Sequence, residues 1–511
     1  MAAMRLTGQW SDAAAGRRRR VRPRVLIVGT AATVTQLHHA LASCPEGPTV
    51  VGCVLATGRD DAALPTPVLG TLDALAEVLD ATPVGQVLVA LPQAMSLVRQ
   101  AVGDTLDRAG TPWRWMPPLA DQLAGRLGGS AGAMPTLDLA RLIDREARPL
   151  DEAAIGQTLT GRTVMITGAG GSIGSEIARL VCGYQPAKVV LVERAENALF
   201  EIDRELARLH PGLPRAAVLH DVTHAARTLA MVQQHRPHVI FHAAAHKHVP
   251  MMEDHPADAI ENNFHGTRAI ADAFAATCGG DLGGRFVMIS TDKAVNPSSV
   301  MGASKRLAEL YIQHLNATSR TRFCMVRFGN VLGSACSVLP IWSQQIARGD
   351  AVTVTHADMQ RYFMTIPEAA GLVLQSAAFC EGGEVFLLDM GQPIKVLQLA
   401  ERFLRLHGLE PNVDVPIRVT GIRPGEKLFE ELAYDGEDML PTPHDSIRIW
   451  KTTPPTPARI RQLIDTFDRL RTKPDPATGE APDHPWQHAG RDAIVTALRS
   501  AIPEMVRAAA G

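Results

Sequence analysis

The chain has 511 residues, 46% of them hydrophobic and 20% charged, enough for two or three domains with full-sized cores. A formal net charge of -2 lacks the basic excess that nucleic-acid binding asks for. Seven cysteines stand singly with no C-x-x-C pair, which argues against a zinc knuckle or redox dithiol, assigns no metal site and fits a reducing cytoplasm.

Residues 1–23 read as a basic, disordered tail, and Arg17, Arg18, Arg19, Arg20 and Arg22 with the adjoining Arg24 form a basic cluster. Anionic lipid or a partner is the alternative use of that charge. No apolar run reaches the roughly 20 residues that span a bilayer. The N-terminus has no signal-peptide core, so a cytoplasmic protein without an integral membrane segment is expected. Residues 24–119 alternate strands (25–28, 50–55, 87–91) with helices (34–42, 96–108), which predicts a small parallel α/β domain. A linker is expected at 120–160, rich in Gly, Ser and Ala over 125–135.

A clearer alternating series fills 161–450. Strands are predicted at 163–167, 188–193, 216–220, 238–242, 285–290, 322–327 and 384–388, with helices in most gaps. That pattern predicts an α/β fold with a doubly wound parallel sheet of the Rossmann type, preceded by the smaller Rossmann-like domain. Residues 451–511 read as a helical tail with helices at 458–471 and 492–509.

The first strand of this series runs into Thr167-Gly168-Ala169-Gly170-Gly171-Ser172-Ile173-Gly174, which opens a helix. Such a turn brings backbone N–H groups and the positive helix end to a pyrophosphate. Gly168, Gly171, Ser172, Ile173 and Gly174 are therefore candidate dinucleotide contacts. Glu193 ends the next strand, where a carboxylate takes ribose hydroxyls and favours NAD. Arg194 beside it leaves NADP open. Asp221 is placed to cap the adenine, and Ala243, Ala244 and Ala245 leave room at the sheet edge.

Ser290-Thr291-Asp292-Lys293 closes the fifth strand, and Met301-Gly302-Ala303-Ser304-Lys305 follows. Here the chain resembles the extended short-chain dehydrogenase/reductases, and more narrowly the nucleotide-sugar 4,6-dehydratases of capsular-polysaccharide and glycan biosynthesis. The matching stretches are T-G-A-G-G-S-I-G-S-E, A-A-A-H-K-H-V-P-M-M-E, S-T-D-K-A-V-N-P-S-S-V-M-G-A-S-K-R, V-R-F-G-N-V-L-G-S, Q-R-Y-F-M-T-I-P-E-A and R-P-G-E-K-L-F-E-E-L. The segment before Gly161 resembles that family's second, cofactor-like domain. There are three departures. Long family members begin with membrane helices, and this chain has none. Gly29-Thr30-Ala31-Ala32-Thr33 keeps few glycines, which disfavours phosphate in the first domain. Ala335-Cys336 replaces a glycine-containing pair.

The resemblance implies hydride transfer from sugar C-4, loss of water across C-5 and C-6, and return of hydride to C-6. Asp292 is then the acid and Lys293 the base. Burial is expected to raise the carboxyl and lower the amine. Ser290 and Thr291 are expected at the C-4 oxygen, and Lys305 at the nicotinamide ribose. Met301 stands where the superfamily uses tyrosine. A thioether takes no proton, so another base or water must serve. A branch of the family shares this methionine, and the resemblance implies retention at C-5. For a UDP-sugar, Arg361 and Arg423 are the diphosphate candidates, with Lys247 and Asn330 facing sugar or nucleotide. UDP-N-acetylglucosamine is the leading substrate. The superfamily commonly pairs helices into dimers, which implies a homo-oligomer. The alternatives are a 4-epimerase, which has no need of the Asp292-Lys293 pair, and an inactive nucleotide-binding sensor or scaffold.

Overall fold

The structure is a computed structural model that describes residues 23–43, 47–56, 64–91, 95–116, 142–143, 145, 148–278, 283–407, 409–432, 439–450, 452–475 and 477–505. Of the predicted arginine cluster only Arg24 is described; Arg17 to Arg20, Arg22 and the stretch 125–135 lie outside the described residues. Two compact units are present: Met1–Leu137 with Ile346–Ala351 and Glu401–Ile417, and Asp138–Gln345 with Val352–Ala400 and Arg418–Gly511.

The first unit holds β1 (Arg24–Gly29), β2 (Thr49–Leu55), β3 (Val68–Thr71), β4 (Gln86–Ala90) and β5 (Trp113–Trp115). They form a parallel sheet in the order β3-β2-β1-β4-β5. Successive side chains of a strand point to opposite faces. Leu26 and Val28 enter one core cluster, and Val25 and Ile27 the other. After β1, Thr30 caps the helix Ala31–Ala42. The Thr33 N–H donates to Thr30 Oγ1 (3.4 Å), and the Thr30 N–H donates to Thr33 Oγ1 (3.0 Å). Thr33 Oγ1 also donates to the Ala90 carbonyl at 2.5 Å, bridging the ends of β1 and β4. These side chains take two N–H groups that a phosphate would otherwise use.

The second unit holds β6 (Thr163–Thr167), β7 (Lys188–Glu193), β8 (Arg215–Leu219), β9 (Val239–His242), β10 (Arg285–Ile289) and β11 (Arg322–Arg327). Its nine-stranded sheet runs Met439–Pro441, Ile447–Trp450, Val385–Leu388, β11, β10, β9, β6, β7, β8. The seven predicted strands are parallel; the two beyond Val385–Leu388 are antiparallel. Both faces are covered, as a parallel sheet requires. Val164, Ile166, Val189, Leu191 and Phe241 fill one cluster, while Met165, Val190, Val192, Ile240 and Phe286 fill the other. From β6 the chain winds outward to β8, then returns to β9 on β6's other side. That reversal makes a crevice at the carboxyl ends of β6 and β9.

One expectation is corrected here. The end of the predicted linker is a helix, Glu152–Leu159, whose Ile155 and Leu159 are buried in the second unit's core. Asp151 caps it, accepting from the Ala154 N–H at 3.0 Å. The C-terminal segment forms the two helices expected of it, and they are packed. Helices Pro457–Arg471 and Arg491–Ala501 bury Ile460, Leu463, Phe467, Ile494 and Leu498 against Phe264, Val300 and Leu307. Arg471 makes paired hydrogen bonds to Glu261 at 2.6 and 2.8 Å.

Candidate active site

The glycine turn lies in the crevice between β6 and β9. Gly168 has φ +68°, and a Cβ there would stand 2.8 Å from the Ala243 and Ala244 backbone. A Cβ on Gly174 would stand 2.1 Å from the Gly168 carbonyl oxygen, so helix and turn pack without side chains between them. Gly171 begins the helix Ser172–Gly183 with no side-chain cap, leaving N–H groups free, unlike the Thr30 helix. A cavity of about 170 Å³ adjoins it, lined by Gly168, Gly171, Glu193, Asp221, Ala243, Ala244 and Ala245 among others. Ile173 does not line it: it packs against the core. Ser172 Oγ accepts from the Ala335 N–H (3.0 Å), latching the 333–337 loop to the helix start.

Glu193 steadies this turn itself. It accepts from the Gly170, Arg194 and Ala195 N–H groups at 2.9 to 3.1 Å. Burial opposes ionisation of Asp221, but the Thr223 N–H and hydroxyl and the Arg194 charge outweigh it and hold the carboxyl low. Arg194 also donates to Asn262 Oδ1 (3.3 Å), a contact the sequence reading missed. Asn262 and Asn263 lie on one π turn, Glu261–His265, a feature that re-aims side chains. Asn263 bonds the His246 backbone on both sides and Ser304 Oγ at 2.9 Å. His242 is sandwiched between the Thr167 and Thr267 hydroxyls (2.7 and 2.9 Å). Burial, aided by Lys305, pushes its imidazole down to about 3, so it ties β6 to β9 as a neutral ring.

The candidate acid-base residues lie at the end of β10. Asp292 is 1% exposed. Its Oδ1 accepts from Thr291 Oγ1 (2.9 Å) and Lys293 Nζ (3.0 Å). Its Oδ2 is buried with no hydrogen-bond partner among the described residues. Gly329 keeps that oxygen clear, since a Cβ there would lie 3.0 Å away. Lys293 Nζ also donates to Asn330 Oδ1 (3.0 Å) and lies 3.8 Å from Glu430 Oε1. Burial works against its charge, but Asp292 and Glu430 outweigh it and hold the ammonium's pKa above the ordinary lysine value. This corrects the expectation of a lowered amine. Lys305 behaves as expected of a buried amine: burial pushes it down to about 8 against the Glu309 charge, and it donates to the Ile289 carbonyl at 2.7 Å.

Two further assignments change. Ser290 is buried and donates to Glu309 Oε1 at 2.6 Å, so its hydroxyl faces a buried carboxylate rather than a sugar. Arg361 is 6% exposed and donates to the carbonyls of Gln360, Leu428 and Lys427 (2.7 to 3.2 Å). It anchors the segment after Arg423 and is not a free diphosphate clamp. Arg423 remains exposed, paired to Glu426 at 2.6 Å. Lys247 Nζ holds the Ala335 carbonyl at 2.9 Å. Motif residues interlock nearby: Glu253 accepts from the Val300 N–H (2.7 Å), and a Cβ on Gly425 would stand 2.8 Å from the same oxygen.

Met301 is 3% exposed and packed in the cluster with Val300 and Phe264. Met301→Leu conserves volume, so it should cost less than about 1.5 kcal/mol and keep most of the turnover. Thermal unfolding and turnover check this; a dead but folded variant would show that the sulfur matters.

Residues 164–452 match the polysaccharide biosynthesis protein family. The chain belongs to that family. It is 43% identical over 372 residues to the capsular polysaccharide biosynthesis protein CapD of Staphylococcus aureus, covering 72% of this chain and 61% of that one. To the UDP-N-acetylglucosamine 4,6-dehydratase (inverting) of Campylobacter jejuni serotype O:23/36 it is 32% identical over 285 residues, covering 55% and 80%. The X-ray structure of Pen from Bacillus thuringiensis superposes with a TM-score of 0.52 at 29% identity, covering 59% of this chain and 91% of that one. The chain thus spans about three fifths of CapD's length (61%). Among the described residues no helix is long and apolar enough to cross a membrane.

Proposed function

We propose that this member of the family is a UDP-N-acetylhexosamine 4,6-dehydratase, with UDP-N-acetylglucosamine as substrate and retention at C-5. The observation that carries the reading is the buried Asp292–Lys293 pair, 3.0 Å apart, at the same sheet edge as the glycine-turn cavity. The Campylobacter relative supports the substrate class. The lining of the cavity suits the adenosine diphosphate end of NAD or NADP: Gly168 and Gly174 leave no room for side chains, the helix start is uncapped, and Glu193, Asp221 and Arg194 line the ribose side. When bound, the nicotinamide supplies a hydride acceptor for C-4 and a donor for C-6. On the same reading the protein works in the cytoplasm as a homo-oligomer.

The chain's own part is proton management. At rest Lys293 carries the proton and Asp292 the negative charge. Moving that proton along the hydrogen bond gives a carboxylic acid and a neutral amine, the pair that elimination needs. Lys293 then takes the C-5 proton, the C-6–oxygen bond breaks, and Asp292 protonates the leaving hydroxyl to water. The pair ends as ammonium and carboxylate, its resting state. An epimerase has no use for this cycle.

Purified protein, once denatured, should release NAD or NADP. Incubated with UDP-N-acetylglucosamine deuterated at C-4, the native protein should give a 4-keto-6-deoxy product with deuterium at C-6. Heavy water should label C-5, and NMR of the product reads its configuration. Epimerised sugar without dehydration, or label lost from C-4 to solvent, contradicts the proposal.

A further inference from the structure

Glu430 stands 138 residues after Asp292 in the chain, yet it shares Lys293 with it. Phe429 and Glu431 on either side are exposed, while Glu430 is 8% exposed. Glu431 takes surface partners, Asn296 and Lys427. Glu430 Oε1 lies 3.8 Å from both Lys293 Nζ and Arg361 Nη2. Its Oε2 is buried with no hydrogen-bond partner among the described residues. Burying a carboxylate so incompletely bonded is costly. The local fold does not require it, because Arg361 already holds the Lys427 and Leu428 carbonyls.

We infer that Glu430 is a positioning residue for the elimination pair: with Asp292 and Asn330 it surrounds the Lys293 ammonium, fixing where the amine sits and the pH at which it yields its proton. The charged groups facing Lys293 are Asp292, Glu430 and Arg361, and Lys427 acts on Glu430. Burial first, and then the Asp292 charge, raise the Glu430 carboxyl above its usual range while Lys293, Arg361 and Lys427 oppose. Ionised Glu430 favours the ammonium, so it holds the proton on Lys293 in the resting site. The catalytic consequence rests on the dehydratase reading, but the effect on the amine does not.

The test pairs two readouts on holoenzyme. Lys293 is acetylated with acetic anhydride across pH and quantified by peptide mass spectrometry, which follows the neutral amine. The kcat profile is recorded in parallel. Glu430→Gln removes the charge and keeps the shape. The labelling midpoint should move to lower pH, and the alkaline limb of kcat, where the pair loses its one proton, should move with it. KM and retained dinucleotide should not change. Glu430→Asp draws the charge back by one methylene and should give a smaller move in the same direction, and it serves alone if the glutamine variant does not fold. Unmoved midpoints in a variant that still holds dinucleotide overturn the inference and leave Glu430 a structural residue. A wild-type protein that dehydrates no UDP-N-acetylhexosamine overturns the dehydratase reading instead, while the labelling still decides the role of Glu430.

Discussion

Asp292→Asn should lower turnover by about 10²-fold or more while leaving the bound dinucleotide in place. Asparagine keeps the outline of the side chain, and its carbonyl still accepts from Thr291 and Lys293, which now meet Asp292 at 2.9 and 3.0 Å. What disappears is the acid for the leaving hydroxyl. Lys293→Met should cost a similar factor by removing the amine and keeping most of the stem. Neither residue lines the cavity beside Gly168, so dinucleotide content should match wild type. Lys305→Met should separate from both, losing dinucleotide as well as turnover, because the resemblance places Lys305 at the ribose. Single-turnover rates and the dinucleotide released on denaturation measure all three. An active Asp292→Asn enzyme sinks the assignment of the pair.

The sequence made the sheet legible because its strands are buried on both faces. Runs such as Val164, Met165 and Ile166 have no polar alternation, and glycine turns bound them. Ile447–Trp450 was missed: Arg448 breaks a four-residue run in a proline-rich stretch, and its pairing with Val385–Leu388 is purely tertiary. The Glu152–Leu159 helix was hidden by its two turns and by Gly156 in the middle. Within the site, the glycine turn and the Asp292–Lys293 pair are local in sequence and were legible. Ser290 and Arg361 were misassigned because their partners lie far along the chain, at Glu309 and at Lys427 and Leu428. The lysine expectation failed first because the charge of the adjacent Asp292 counts for more than was allowed against burial, and second because of a distant partner. Burial alone does lower an amine, but no local pattern announced that the segment after Arg423 would bring a second carboxylate to Lys293.

The second large effect concerns the support beneath the pair. Glu309→Gln should destabilise the second unit by about 3–5 kcal/mol, the usual cost of leaving a buried charge without its partner. Glu309 is fully buried and takes a two-pronged contact from Arg327, Nε to Oε1 at 2.8 Å and Nη2 to Oε2 at 2.6 Å. Arg306 adds a bond at 3.3 Å, and Ser290 Oγ one at 2.6 Å. The Arg327 guanidinium lies 4.5 Å from the Trp450 ring centre, so the strand that the sequence reading missed closes the network. Burial works to raise the Glu309 pKa, but Arg327, Arg306 and Ser290 outweigh it and hold the carboxyl at about 2. The depressed value fixes the sign. Its stabilisation is present above the unfolded pKa of roughly 4.3 and is lost as pH falls toward the folded value. Glutamine removes that pH dependence and leaves Arg327 charged in the core. Replacing both partners, Glu309→Leu with Arg327→Met, should cost less than the single change, because Arg327 is not left charged in the core and Arg306 keeps its contact with Glu504 at 3.3 Å. Urea unfolding of wild type and the two variants near neutral pH and near pH 4 tests this. A single variant within about 1 kcal/mol of wild type would show that the pair is dispensable to the fold. Because Ser290 is one residue before Thr291 and two before Asp292, a loosened Glu309 site should also lower turnover in whatever fraction remains folded, by letting the end of β10 shift.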